Sequence, residues 1–186
     1  MSDIIDLSAA EQRMQGAVEA VKREFGTIRT GRANPSILDR IEVEVYGSQM
    51  PLRSVANVGV PEPRLLTVTP FDPGSIKQIE RAIENADIGL NPQSDGKILR
   101  LPIPELTEER RRELIRLARN MAEEGRVAVR NVRRDEMHDI HELQKEGEVS
   151  QDDEHRAETE LQNLTNDYVQ RIDALVSDKE SELLEV

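Results

Sequence analysis

The stretch "RTGRANPSILDRIEVEVYG", residues 29–47, is where the chain changes its period. Upstream of it, Leu7, Ala10, Met14, Ala17/Val18, Val21, Phe25 and Ile28 recur at steps of three and four, which predicts an amphipathic helix over 3–28. Gly31 and the Asn34-Pro35 pair stop that pattern. Downstream the step becomes two: Ile41, Val43 and Val45 alternate with Arg40, Glu42 and Glu44, as in a half-buried strand. A helix has given way to a sheet within a dozen residues.

Working outward, "SVANVGV" (54–60) and "RLLTVT" (64–69) predict further strands, punctuated by Pro51, Pro61 and Pro63. "DPGSIKQIERAIENA" (72–86) predicts one helix, with Asp72 as N-cap, Pro73 at its first position, and Ile76, Ile79 and Ile83 on one face. "GLNPQSDG" (89–96) reads as a turn and "KILRL" (97–101) as a last strand. Thr107 then caps a long helix whose first turn holds Glu108 and Glu109. Leu114, Ala118, Met121, Ala128, Val132 and Leu143 trace its stripe to about residue 144, roughly 57 Å of helix at 1.5 Å per residue. Ser150 caps a final helix seamed by Ala157, Leu161, Leu164, Tyr168, Ile172, Leu175 and Leu183.

None of the three long helices can bury its stripe alone, and the short connection between the last two makes them antiparallel neighbours. The predicted fold class is therefore α+β. An elongated antiparallel three-helix bundle (1–30 and 105–186) carries an inserted small α/β, strand-rich head (31–104) in an L-shaped two-domain arrangement. The two crossings, Thr30, Gly31, Ala33, Asn34 and Pro35 on one side and Pro102, Ile103 and Pro104 on the other, read as paired hinges near 30–35 and 101–106.

The chain has no cysteine, which removes disulfides, thiolate chemistry and Cys-based zinc sites. No secretory or transit signal is legible at the N-terminus, and no segment reaches the roughly 20 apolar residues of a membrane span. The chain reads as cytosolic. Its net charge of -12 is unevenly spread: residues 147–186 hold 12 acidic and 3 basic groups. Residues 105–146, with 10 basic and 11 acidic groups, are the most densely basic part. An acidic whole does not exclude a nucleic-acid partner.

On a helical projection Arg112, Arg116, Arg119, Arg126, Arg130, Arg133 and Arg134 fall within an arc of about 100°. Glu123 is the acid that shares it. One reading is a solvated face balanced by acids of a neighbouring helix. The other is a phosphate-binding stripe, favoured because every cation is arginine, the side chain suited to bidentate phosphate contacts. With only Phe25, Tyr46, Phe71 and Tyr168 available for stacking, structured RNA fits better than single strands. Arg29 and Arg32 either complement the first helix's dipole or extend the stripe.

Catalytic chemistry finds little footing. "SDGKI" (94–98) lacks the leading glycine and the hydroxyl residue of a phosphate-binding loop, so no GTP hydrolysis by the chain itself is expected. His138 and His141, near Asp135 and Glu142, lack a third remote ligand, and no metal or cofactor is expected. A coiled-coil adaptor, pairing its seams with partner helices, is the alternative from another class.

"RTGRANP" (29–35) after an N-terminal helix, "GRVAVRNVRRD" (125–135) on a long helix and the "DKESEL" ending (178–183) resemble the ribosome recycling factor family along essentially the whole chain. The resemblance implies a bacterial or organellar translation factor that binds the large ribosomal subunit after termination, across the sites vacated by tRNA. With the GTPase elongation factor G it would split the ribosome into subunits. Arg29, Arg32, Arg130 and Arg133 map onto the family's rRNA-contacting arginines, with Gly31 and Asn131 in the same motifs. The expected partners are large-subunit rRNA and elongation factor G, with no membrane, for a monomer in the bacterial cytoplasm.

Overall fold

The computed structural model describes residues 5–185. The chain divides into two compact units, one running up to Arg29 and resuming over Glu108–Glu185, the other spanning Thr30–Thr107.

The first unit is built from three helices: α1 (Ser8–Phe25), α4 (Glu108–Lys145) and α5 (Gln151–Leu184). α1 is shorter than the predicted 3–28, whose first two residues lie outside the described residues. It begins where the Asp6 carboxylate accepts the Ser8 N–H at 2.9 Å, and it closes at Gly26, whose N–H bonds the Lys22 carbonyl. α4 starts directly after Thr107 with Glu108 and Glu109 in its first turn. Ser150 caps α5 by accepting the Asp153 N–H at 3.1 Å, with Asp152, Asp153 and Glu154 following in the first turn.

All three helices pack against one another. Arg13 pairs with Asp135, and Arg119, Arg126 and His141 of α4 meet Glu180, Asp173 and Glu154 of α5, so α4 runs antiparallel to both neighbours. The core is aliphatic, with Met14, Val18, Val21, Ala118, Ala122, Val129, Ile140, Leu161, Ile172 and Leu183 buried. Gly125 answers to this packing. A Cβ there would lie 2.3 Å from Val21 Cγ2 and 3.2 Å from Ile172 Cδ1, so α4 has glycine where α1 and α5 press closest.

The second unit opens with a short 3-10 turn, Pro35–Leu38, where the Asn34 side-chain oxygen accepts the Ser36 N–H at 3.0 Å. Strands β1 (Glu42–Val45) and β2 (Ser48–Pro51) form a hairpin. Its two-residue turn, Tyr46-Gly47, has φ of 52° and 78°, the left-handed geometry that matches strand twist. The chain then makes one helical turn, α2 (Leu52–Val55), before β3 (Ala56–Glu62). The predicted strand over 54–60 thus starts late, because the turn brings Leu52 and Val55, three residues apart, onto the same core.

β4 (Leu65–Pro70) follows, and a 3-10 turn at Pro73–Ser75 leads into α3 (Ile76–Asn85). Asp72 does cap this segment, its carboxylate accepting the Gly74 N–H at 3.0 Å. Two short strands complete the unit, β5 (Gln93–Ser94) and β6 (Leu99–Pro102), giving an antiparallel sheet ordered β3-β4-β6-β5. β5 falls inside the segment predicted as a turn; two exposed polar residues carry no alternation to read. Ile76, Ile79 and Ile83 of α3 close over Val43, Leu66, Val68, Leu99 and Leu101.

Most of the residues expected at the hinges are woven into this second unit. Ala33 N–H donates to the Pro63 carbonyl at 2.7 Å, and Ile103 N–H to the Arg64 carbonyl at 2.9 Å. Asn34 and Pro35 form the 3-10 turn, and Pro102 pairs with Leu65 in the sheet. Thr30, Gly31 and Pro104 lie outside every regular element, with Gly31 at a φ of 76° that favours glycine.

Candidate nucleic-acid interface

α4 runs 38 residues without proline and buries Leu114, Ala118, Ala122, Gly125, Val129, Val132 and Ile140 along one side. At about 100° per residue those positions centre opposite Val127, which is 45% exposed. Arg116, Arg134, Asn120 and Asn131 flank Val127 on the outward face, and all four are exposed. Arg112 and Arg130 lie slightly round toward α5, while Arg119, Arg126 and Arg133 lie at the α4–α5 seam.

The arginine arc therefore exists but is chemically divided. At the seam, Arg126 Nε donates to Asp173 Oδ1 at 2.7 Å and Nη1 to Glu123 Oε2 at 2.9 Å, leaving its side chain only 20% exposed. Arg119 Nε donates to Glu180. Arg133 Nη1 meets a neutral acceptor, Gln162 Oε1, at 2.8 Å. Arg130 reaches the second oxygen of Glu123 at 3.3 Å, and Arg112 pairs with Glu108 one turn earlier. Arg116 and Arg134 have no hydrogen-bonding or ionic partner among the described residues.

The titration of these groups follows the contacts. The Arg126 guanidinium holds the Glu123 carboxyl below the usual range, with Arg130 adding to the effect. Partial burial pulls Arg126 down, but Asp173 and Glu123 outweigh it and leave the guanidinium more firmly charged than usual. Glu180 does the same for Arg119 through a direct hydrogen bond.

Balancing acids on a neighbouring helix, one of the two readings of the sequence, thus hold for Arg119 and Arg126 and fail for Arg116, Arg133 and Arg134. The carboxylates in question lie 61 and 47 residues away, beyond the reach of any helical spacing rule. Arg29 and Arg32 are exposed. They sit past the end of α1, whose last turn holds Lys22 and Arg23. His141 Nδ1 faces Glu154 at 2.9 Å, and among the described residues no three potential ligands converge on a metal position.

One feature of the head had no signal beyond the scarcity of aromatics. Tyr46 and Phe71 are 87% and 67% exposed, and the Tyr46 hydroxyl donates to the Asp72 carboxylate beside Phe71. Tyr46 adopts a positive φ, uncommon for so bulky a residue.

On the helical unit the exposed large apolar side chains are Leu117, Val127, Leu143 and Leu184. The three on α4 point in different directions around it and make no second seam, which counts against a coiled-coil adaptor. No described helix is long and apolar enough to cross a membrane. The class is a two-unit α+β protein whose three-helix unit bears a linear cationic face.

Comparison with known proteins gives the family. Residues 21–184 match the family model described as ribosome recycling factor. The ribosome-recycling factor of Rubrobacter xylanophilus is 71% identical over the full length of both chains, and that of Halalkalibacterium halodurans 51% identical over 97% of each. A ribosome recycling factor structure determined in solution superposes with a TM-score of 0.73 at 40% identity, covering 97% of this chain and 96% of that one. A second, at 43% identity, TM-score 0.60 and coverage of 95% and 96%, is the T. thermophilus recycling factor shown with E. coli elongation factor G on the E. coli post-termination complex. The chain belongs to the ribosome recycling factor family.

Proposed function

We propose that this protein binds the large ribosomal subunit after termination and, with elongation factor G and GTP, splits the post-termination complex so that its ribosomes are reused. The observation that carries the reading is the outward arginine face on α4, in a chain matched to the family from end to end. Support for the GTPase partner comes from the relative seen with elongation factor G on a post-termination complex. The chain is not itself an enzyme in this account: the energy of GTP hydrolysis enters through the partner. It works as a monomer in the bacterial cytoplasm, without a membrane.

The roles divide by unit. The helical rod (1–30 and 105–186) lies along rRNA, with Arg112, Arg116, Arg130, Asn131, Arg133 and Arg134 toward the phosphates. Arg29 and Arg32 extend that contact, Gly31 between them. Arg119 and Arg126 contribute only if their carboxylates let go. The head (31–104) receives the partner's push, and the crossings flex over Thr30–Arg32 and from Pro104 onward, where neither sheet nor helix holds the chain.

Charge reversal tests the reading. Arg130→Glu with Arg134→Glu should cut co-sedimentation with large subunits by at least tenfold at moderate salt. It should also flatten the salt dependence, since each lost phosphate contact removes about 0.7–0.9 from the slope of log affinity on log salt. The helical circular dichroism should be unchanged. Undiminished binding would remove the α4 face from the interface.

A further inference from the structure

The seam between α4 and α5 is a ladder whose rungs fall every seven residues on α4 and after seven and then eleven residues on α5. Arg119, Arg126 and Arg133 descend α4 two turns at a time, and α5 answers with Glu180, Asp173 and Gln162. Two rungs are charged and the third is neutral. Gln162 is itself engaged on its other side, its amide donating to Asn166 Oδ1 at 2.9 Å.

A carboxylate and a phosphate offer a guanidinium the same pair of oxygens. Asp173 and Glu180 therefore occupy on Arg126 and Arg119 the positions that RNA phosphates would take. An arginine so occupied adds little to RNA affinity. The phosphate it gains is offset by the carboxylate it releases, which must then find a cation from solution, and no net counterion is set free. Arg133, held by an amide, keeps its whole charge for an outside partner. Arg134 beside it has no partner among the described residues, and Arg130 is held only by Glu123 of its own helix at 3.3 Å. The cations that α5 leaves unneutralised therefore gather at residues 130–134, while Arg119 and Arg126 are occupied and only Arg116 stands open next to them.

Building on the RNA-binding reading above, we propose that the α5 ladder residues Asp173, Glu180 and Gln162 set where and how tightly the rod holds rRNA. Asp173 and Glu180 act as built-in phosphate substitutes that silence one length of the arginine face. Gln162 leaves the Arg130–Arg134 end active. These are positioning residues; they touch the arginines and not the RNA. The consequence suits a factor that must leave each ribosome it splits: a face with every arginine free would grip the polyanion over a longer length and release it slowly.

The test runs in two opposed directions, on the full chain with purified large subunits, across a salt series. Asp173→Asn with Glu180→Gln should tighten binding about three- to tenfold and steepen the salt slope by one to two units. Gln162→Glu should weaken binding about three- to tenfold and make the slope shallower by about one, because it completes the third charged rung. A merely structural role moves binding and stability together. Here they part: the first variant loses cross-helix ion pairs yet binds better, and the second gains one yet binds worse. Equal or weaker binding by the Asp173/Glu180 variant, or unchanged binding by Gln162→Glu, overturns the proposal. Failure of the RNA reading is separately visible, since Arg130→Glu with Arg134→Glu would then bind as the parent does.

Discussion

Two carboxylates in this protein titrate in opposite directions, and their neighbours say why. Asp95 accepts from Arg100 Nη1 at 2.7 Å and from the Ile98 and Lys97 N–H groups, so its carboxyl is held well below the usual range. Its folded pKa is depressed, so its stabilisation is complete above the unfolded value near 4 and disappears as pH falls. Glu136 is pushed upward, first by partial burial and then by Asp139. Its ionised form is penalised in the folded state, so its contribution is best below the ordinary Glu value and is lost as pH rises through the folded one. Glu136→Gln should therefore raise the thermal midpoint at neutral pH and leave it unchanged near pH 3. Asp95→Asn should lower the midpoint at neutral pH and converge with the parent in acid. Paired melts at the two pH values check both signs. Neither shift was legible beforehand, because burial and the Arg100 contact belong to the folded chain.

Among the elements, α4 shows what a helical pattern can and cannot disclose. Its length, its first-turn acids and the clustering of its arginines follow from one period, but of the expected apolar stripe only Leu114, Ala118 and Val132 are buried. Met121 and Ala128 are half-buried and Leu143 is exposed. Ala122, Gly125, Val129 and Ile140 complete the buried side, because the two packing neighbours centre it further round the helix. Gly125 does not follow from that period. Mid-helix glycine costs about 1 kcal/mol against alanine, so Gly125→Ala ought to stabilise an isolated α4. In the bundle the added methyl meets Val21 Cγ2 at 2.3 Å, and overpacking of this kind costs about 1–3 kcal/mol. Gly125→Ala should destabilise the protein in urea, and adding Val21→Ala should recover part of the loss by vacating the space. A neutral Gly125→Ala would mean that α1 yields without cost. The same limit hid the charge ladder. Asp173 and Glu180 look like any acids on an acidic helix until antiparallel packing sets them against Arg126 and Arg119.

For the whole molecule, the proposed mechanism asks that the head move relative to the rod. Ala33, Asn34, Pro35, Pro102 and Ile103 are bonded within the head, so the proposed bending falls to Thr30–Arg32 and to the residues from Pro104 onward. Cross-linking the two crossings through engineered cysteines, one in Thr30–Arg32 and one in Pro104–Thr107, should spare binding to large subunits. It should also slow elongation factor G-dependent splitting at least tenfold, with recovery on reduction. Splitting at the parent rate in the oxidised protein would show that head motion is not required.

Periodicity alone determined the order of the long helices and the place of the sheet between them, though not short elements such as α2 and β5. Helical steps of three and four up to Ile28, alternation from Ile41 to Val45 and a long stripe beyond Leu114 require a helical unit interrupted by a sheet. Local chemistry placed the caps at Asp72 and Ser150, and arginine choice pointed to phosphate. These are signals carried by neighbours in the chain, within reach of one turn or one pleat. What tertiary structure alone decided is which arginines remain free. That depends on oxygens of α5 reaching a guanidinium from 47 or 61 residues away. A cation's availability is set by whatever packs against it, and packing partners are remote in sequence.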